Sequence, residues 1–264
     1  MAVGAGTGGA ETAFMNPAEF ANIAQCEEHL WWYRGMRYIV CRMLEPYVAG
    51  RRISRVLEAG CGTGYFSHFL HREYGWPMVS LDISAEGLRY ARSIGAEQPI
   101  QGDVRDLPFA DGSFDLAISM DVLAHVPRGE EQRAASELVR VLAPDGLLVV
   151  RTAAFDWLRS RHSQLVSERQ RFTRRRLTEL FRAAGLAPDR VTYANSLLLP
   201  VAVAKFRVWE PLLNKAAASG IEPLPPWLDR VLYRLLSLEA AWLGGGHNLP
   251  VGQTLVLLAR KARA

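Results

Sequence analysis

Cysteine is scarce in this sequence. The three present, Cys26, Cys41 and Cys61, are odd in number and form no C-x-x-C pair. That excludes a disulfide framework and a cysteine zinc site, and makes a reducing compartment the expectation. No uninterrupted run approaches the ~20 apolar residues of a membrane-spanning helix. The longest, Leu197 to Ala204, is closed by Lys205 and Arg207. Met1 to Ala13 lack the basic and apolar regions of a secretory signal, so residues 1–15 are expected to be a tail and the protein cytoplasmic, with peripheral membrane contact left open. A charge excess is also missing. Thirty-one Lys plus Arg against 27 Asp plus Glu leave +4 over 264 residues, too little to identify a nucleic-acid binder. The six histidines form no H-E-x-x-H, so no metal site is expected. With 49% hydrophobic residues the chain is too apolar to be disordered.

Short apolar runs alternate with helical patterns. Pro17 to Val48 reads as helical, followed by strand Ser54 to Glu58, helix Tyr65 to Tyr74, strand Met78 to Asp82, helix Ala85 to Ile94, strand Phe114 to Met120, helix Glu130 to Leu142 and strand Gly146 to Ala153. This order implies βαβ units and a parallel sheet. Thr173 reads as the N-cap of a helix ending at Gly185, and Arg190 to Ala194 and Gln253 to Arg260 as two more strands. Between them a helix follows Pro225-Pro226, with Leu228, Val231, Leu232, Leu235, Leu236, Trp242 and Leu243 at helical spacing and Arg230 and Arg234 outward. A single domain over 16–264 is expected, divided into a helical cap (16–50), a core (51–196), a helical insertion (197–247) and a final strand (248–264).

The segment Val56-Leu57-Glu58-Ala59-Gly60-Cys61-Gly62-Thr63-Gly64 is a strand running through glycines into a helix. Glycines let the backbone turn sharply and approach a ligand, and free N–H groups at a helix start favour an anionic group. A dinucleotide fingerprint needs its third glycine at 65, where this chain has Tyr65; the glycine is at 64 instead. Asp82 ends the next strand and can accept from ribose hydroxyls, and Asp103, after Gln101-Gly102, can accept from an adenine amine.

These residues resemble the class I S-adenosylmethionine-dependent methyltransferases. The resemblance runs in order through E-x-G-C-G-T-G, Asp82, Gly102-Asp103, Leu107-Pro108-Phe109 with Phe114-Asp115, Asp121-Val122-Leu123-Ala124-His125-Val126, and Leu138-Val139-Arg140-Val141-Leu142 with Pro144-Asp145-Gly146. His29 to Arg37 and Arg171-Phe172-Thr173 look like flanks of a bacterial small-molecule subgroup related to the quinone-biosynthesis methyltransferases. The resemblance implies a doubly wound, mostly parallel seven-stranded Rossmann-like α/β sheet and S-adenosyl-L-methionine as cofactor. By the same resemblance Glu58 and the loop Gly60, Cys61, Gly62 and Gly64 hold the methionine part, Asp82 the ribose, Ile83 an adenine face, and Asp103 with Val104 the adenine edge, while Met120 lines the adenosyl pocket. Arg34 or Arg37 supplies a cation for the cofactor carboxylate. Three departures stand out. Glu58 replaces the commoner aspartate, Ala124 the commoner glutamate, and Glu168 stands where the subgroup often has histidine.

Methyl transfer from a sulfonium depends on alignment of donor carbon and acceptor atom, and a general base helps an acceptor that must lose a proton. His125, just beyond the fourth strand, is the candidate base, the alternative being a turn cap; His162 is second. Met120-Asp121-Val122-Leu123 replaces the Asp/Asn-Pro-Pro-aromatic motif of nucleobase-amine methyltransferases, so an oxygen or carbon of a small molecule is the expected acceptor. Nine arginines fall in Arg151 to Arg182. Arg151, Arg159 or Arg171 is expected at the substrate mouth, clamping a phosphate or carboxylate, with Arg151 and Arg171 the chosen pair and most of the others on a solvated helix face. Trp31 and Trp32, beside Arg34, are expected as a gate over the cofactor, Trp32 and Tyr33 as substrate contacts, and Trp209, Trp227 and Trp242 as core. The insertion can shape an apolar acceptor pocket, contact lipid, form a homodimer face or simply pack on the sheet edge. Three rival functions are a nucleic-acid binder or modifier using Arg151 to Arg182, a cofactor-binding partner protein without catalysis, and a nicotinamide enzyme, against which the place of Gly64 speaks.

Overall fold

The computed structural model describes residues 17–263 apart from 161–162, 164–165, 210–211 and 213–223. The expected tail 1–15 and His162 lie outside the described residues. Seven strands form one sheet: β1 (Val56–Ala59), β2 (Met78–Asp82), β3 (Pro99–Gln101), β4 (Phe114–Met120), β5 (Leu142–Ala153), β6 (Pro188–Ala194) and β7 (Thr254–Arg260). Their spatial order is β3-β2-β1-β4-β5-β7-β6. β1 to β5 are parallel, and β7 runs antiparallel to both β5 and β6. This is the doubly wound sheet the sequence implies. Residues of β1 and β2 are buried throughout, which is why these strands are mainly apolar, Glu58, Ser80 and Asp82 apart, and lack the polar face of a half-exposed strand. Strand order reverses between β1 and β4, and a crevice opens at the carboxyl ends of the strands there.

Helices cover both faces. On one side α5 (Glu131–Arg140) and α6 (Arg174–Ala183) close a core of Leu57, Phe114, Leu138, Phe172 and Phe181. On the other, α2 (Trp31–Val48), α3 (Tyr65–Tyr74) and α8 (Pro226–Gly244) enclose Met36, Ile39, Leu116, Leu236 and Leu243. Gly35 lets α2 and α8 touch: a Cβ there would lie 2.3 Å from Leu236 Cδ1. Local capping is as the residue types demand. Ser84 caps α4 (Ala85–Ser93) by accepting from Gly87 N, and the Thr173 side chain accepts from Arg176 N at 3.3 Å. The insertion contains α7 (Leu199–Val203), a π-helical turn Ala204–Trp209, and α8.

Three expectations are corrected. The helix read over Pro17 to Val48 is two, α1 (Pro17–Cys26) and α2, separated by a turn at 27–30. Arginines of α2 satisfy carbonyls that an unbroken helix would have used: Arg37 donates to Glu27 O at 2.7 Å and Arg34 to His29 O at 3.3 Å. β5 starts at Leu142, where it pairs with Phe114, and shifts register before resuming at Leu147; Asp145, at φ 63°, lies in this irregularity. Finally, Trp209, Trp227 and Trp242 are exposed, not core. α8 carries apolar residues on two faces, and only the one bearing Leu236, Ala240 and Leu243 meets α2 and the sheet.

Candidate functional site

A cavity of about 1160 Å³ opens at the carboxyl ends of β1, β2 and β4 and extends to the insertion. It exceeds the roughly 300–1,000 Å³ usual for one small-molecule site, leaving room for two ligands side by side. Its floor is the glycine loop. Gly60 N and Cys61 N donate to Leu81 O at 2.7 and 2.9 Å, stitching the loop to the end of β2. Gly60 sits at φ 85°, and a Cβ there would lie 2.1 Å from Val122 Cγ2. Gly62, at φ 55°, has nothing within 4 Å of an added Cβ, so its bare backbone borders open space.

Four carboxyl groups surround this loop. Asp82 accepts from Gly62 N at 2.7 Å and from Ser84 N at 2.8 Å. Burial raises its pKa, and these N–H bonds oppose the rise. Glu58 accepts a hydrogen bond from Ser67 Oγ and is entirely enclosed; burial pushes it up to about 8. Glu27 accepts from Thr63 Oγ1 at 2.6 Å, and burial raises it to about 7 against the lowering effects of Thr63 and Arg37. Asp103 accepts from Arg105 Nε at 2.9 Å; burial raises its pKa, but the Arg105 side-chain and backbone bonds together outweigh this and hold it below the usual range.

The carboxyls of Glu27 and Glu58 make folding pH-dependent. Each is raised from 4.5, so between that value and its folded pKa the native state binds more protons than the unfolded chain. Their contribution is fully present below about 4.5 and is lost as pH rises through about 7 and then about 8. The melting temperature of the ligand-free protein is therefore expected to fall from pH 5 to pH 8.5, and Glu58→Gln to flatten that slope, both read by differential scanning fluorimetry.

Most sequence-derived candidates line this one cavity: Glu58, Gly60, Cys61, Gly62, Asp82, Ile83, Asp103, Val104, Met120, His125, Trp32, Tyr33, Arg37, Arg151 and Arg171. Two do not. Gly64 turns toward α4, where a Cβ would lie 2.6 Å from Ala91 Cβ; this glycine permits helix packing. Arg34 points at α8, pairing with Asp229 at 3.3 Å and stacking over Tyr233, so Arg37 is the cation of that pair at the cavity. Arg37 lies over Tyr65, 4.7 Å from the ring centroid. His125 follows a 3-10 turn (Val122–Ala124) and its backbone N–H donates to Val122 O, leaving the imidazole on the cavity wall.

At the far lobe, Arg151 is ion-paired with Asp121 and lies over Trp32. Arg171 pairs with Glu168, itself on the cavity wall, and donates to Ser163 Oγ at 2.8 Å. Two buried polar atoms here have no hydrogen-bond partner, Arg151 Nε and Asn195 Oδ1. Asn195 also holds φ 56°, an uncommon conformation that functional sites favour. The sequence reading missed Glu27 and Asn195. The capping turn and the glycine loop that enclose Glu27 are 36 residues apart, and no local motif marks either residue.

Six of the nine arginines between 151 and 182 are engaged within the chain. Arg151, Arg159, Arg171, Arg175 and Arg176 are paired with Asp121, Glu168, Glu168, Glu179 and Glu131, and Arg174 donates to Leu249 O. Among the described residues no His/Cys/Asp/Glu cluster could hold a metal ion, and no helix is long and apolar enough to cross a membrane.

The residues fit an aminoacyl sulfonium nucleoside. Asp82 and Asp103 are acceptors suited to hydroxyl and amine donors, the buried carboxyls to an ammonium, and the bare backbone with Arg37 to a carboxylate. Comparison with known proteins agrees. Residues 57–150 match the family model described as a methyltransferase domain. The malonyl-[acyl-carrier protein] O-methyltransferase of Pseudescherichia vulneris is 37% identical over 206 residues, 76% of this chain and 71% of that protein. The enzyme of the same name from Pectobacterium atrosepticum is 41% identical over 101 residues, 38% of this chain; the chain spans only 39% of its length. Geranyl diphosphate C-methyltransferase from Streptomyces coelicolor A3(2), solved with Mg2+, geranyl diphosphate and S-adenosyl-L-homocysteine, shares the fold at TM-score 0.52 and 17% identity, covering 79% of this chain and 73% of that one. With a glycine loop, strand-end carboxylates and a relative matched over most of both chains, this protein belongs to the class I S-adenosylmethionine-dependent methyltransferases.

Proposed function

We propose that the protein transfers a methyl group from S-adenosylmethionine to a small, largely apolar acceptor through oxygen or carbon. The observation that carries this reading is the single cavity in which the open backbone at Gly62 adjoins Asp82 and continues to a lobe lined by the insertion. When bound, S-adenosylmethionine supplies an electrophilic methyl on a sulfonium. Asp82 would take the ribose hydroxyls, Ile83 one adenine face, Asp103 with Val104 the adenine edge, and Met120 would line the adenosyl pocket. Glu58, whose carboxyl burial pushes up to about 8, would meet the cofactor ammonium, a partner that favours its ionised form. Gly60, Cys61 and Gly62 offer close backbone, and Arg37 neutralises the carboxylate.

On the acceptor side, Trp32 and Tyr33 close over the reacting atoms and exclude water. Tyr33, raised by burial, stays protonated and donates. His125 takes the proton of an acceptor hydroxyl or activated carbon. Arg151 Nε and Asn195 Oδ1 are the unsatisfied donor and acceptor that orient a polar group on an otherwise greasy molecule. Apolar side chains of the insertion, among them Leu198, Ala202 and Phe206, hold its body.

Incubation with a cell extract and isotopically labelled methyl donor, followed by mass spectrometry, is expected to give a labelled small molecule, and His125→Ala to lower its rate of formation about 100-fold with cofactor affinity intact. Cofactor binding without any labelled product would instead favour a non-catalytic partner protein. Label in polynucleotide would favour a nucleic-acid enzyme.

A further inference from the structure

Of the fifteen exposed large apolar side chains among the described residues, ten lie between 197 and 251. Such concentration marks an interaction surface, whereas scattered apolar residues need no explanation. α8 supplies the most regular part. Trp227, Val231, Leu238 and Trp242 are 63, 46, 64 and 52% exposed, and their intervals of four, seven and four place them on one stripe of the helix. The stripe runs opposite the buried one that meets α2. At 1.5 Å per residue, the helix that carries it is about 28 Å long.

Among the described residues, charge on this face has one sign. Arg230 and Arg234 lie on the stripe, while both acidic residues of α8 point inward. Asp229 accepts from Trp31 N and pairs with Arg34; Glu239 is buried and accepts from Leu197 N at 2.6 Å. The neighbouring segment repeats the pattern, with Val201, Val208 and Trp209 exposed and Lys205 and Arg207 between them in sequence. Val201, Lys205 and Trp209 line the same cavity as Leu232 of α8, so the patch and the acceptor lobe are continuous.

We propose that this face seats on an anionic lipid bilayer, with Trp227, Leu238 and Trp242 in the headgroup and acyl boundary and Arg230 and Arg234 against lipid phosphates. Tryptophan beside arginine is the combination an interface with one wet and one apolar side selects, and cations with no acidic partner among the described residues draw the helix to an anionic surface. A second copy of the chain is a poorer occupant. An isologous contact along the stripe would bring Arg230 and Arg234 of two molecules together, like charge against like. That an apolar acceptor enters the cavity from the bilayer rests on the proposed methyl transfer; the docking does not.

The test is flotation of the full chain with vesicles of phosphatidylcholine containing phosphatidylglycerol and with phosphatidylcholine alone, alongside calorimetry of S-adenosylmethionine binding. The expected result is flotation with the anionic vesicles only, weakening as salt is raised. Arg230→Glu with Arg234→Glu is expected to reduce partitioning at least about 25-fold, roughly fivefold for each arginine. Trp227→Ser with Trp242→Ser also reduces it, and both double variants keep their melting temperature and cofactor affinity. Absence of flotation at low salt, or equal flotation with both vesicles, overturns the proposal. So does a dimer in light scattering that Leu238→Glu dissociates, which would give the face to a second copy. Loss of cofactor affinity in the parent protein would count against the methyl-transfer reading and leave the docking result standing.

Discussion

Asp82→Ala is expected to weaken S-adenosylmethionine binding by about 100-fold or more in isothermal titration calorimetry. A hydrogen bond to an ionised group is worth ~1.5–3 kcal/mol, and the ribose presents two adjacent hydroxyls to this carboxylate. The loss has a second source, because Asp82 also fixes Gly62 N and Ser84 N at 2.7 and 2.8 Å. Asp82→Asn separates the two. It keeps one carbonyl oxygen for the backbone and loses the charge, so its affinity should fall between those of the parent and the alanine variant. Affinity within threefold of the parent for Asp82→Ala would exclude a ribose role.

Gly60→Ala is expected to cost ~3 kcal/mol or more of stability in chemical denaturation and to abolish cofactor binding. A non-glycine residue in the left-handed region costs roughly 1–2 kcal/mol. The new Cβ would also stand 2.1 Å from Val122 Cγ2, and with that methyl rotated away Val122 Cβ at 3.2 Å and Cγ1 at 3.3 Å would still be tighter than ordinary contacts. Val122 belongs to the turn after β4 that carries His125, and moving it displaces both sides of the crevice. Adding Val122→Ala should recover the steric part and leave the backbone part, a non-additivity that a double-mutant cycle measures directly. Unchanged stability of Gly60→Ala would mean that the loop does not hold this conformation.

The parts of the fold legible in the sequence were those whose physics is local. β1, the glycine loop and Asp82 could be read together because strand-end acids and glycine turns are short-range signals, and Thr173 because an N-cap acts within one helical turn. What escaped depends on distant partners. Arg34 and Arg37 lie three residues apart on α2, and nothing local says which of them reaches the cavity; Asp229, 195 residues away, draws Arg34 aside. Gly64 reads as part of the ligand loop but is required by Ala91 of α4. Trp227 and Trp242 obey helical spacing, yet periodicity cannot tell the stripe that meets α2 from the exposed one. Glu27 becomes conspicuous only after the turn at 27–30 folds it onto Thr63.

The place of β7 has a consequence for how the molecule is made. This strand lies between β5 and β6 and is the one sheet neighbour of β6, yet it is the last of the seven to leave the ribosome. As residues 188–194 emerge they have nothing to pair with until 254–260 follow, so a nascent chain carries an unsatisfied strand through some sixty codons of synthesis, the interval in which a chaperone or a misplaced neighbour would find it.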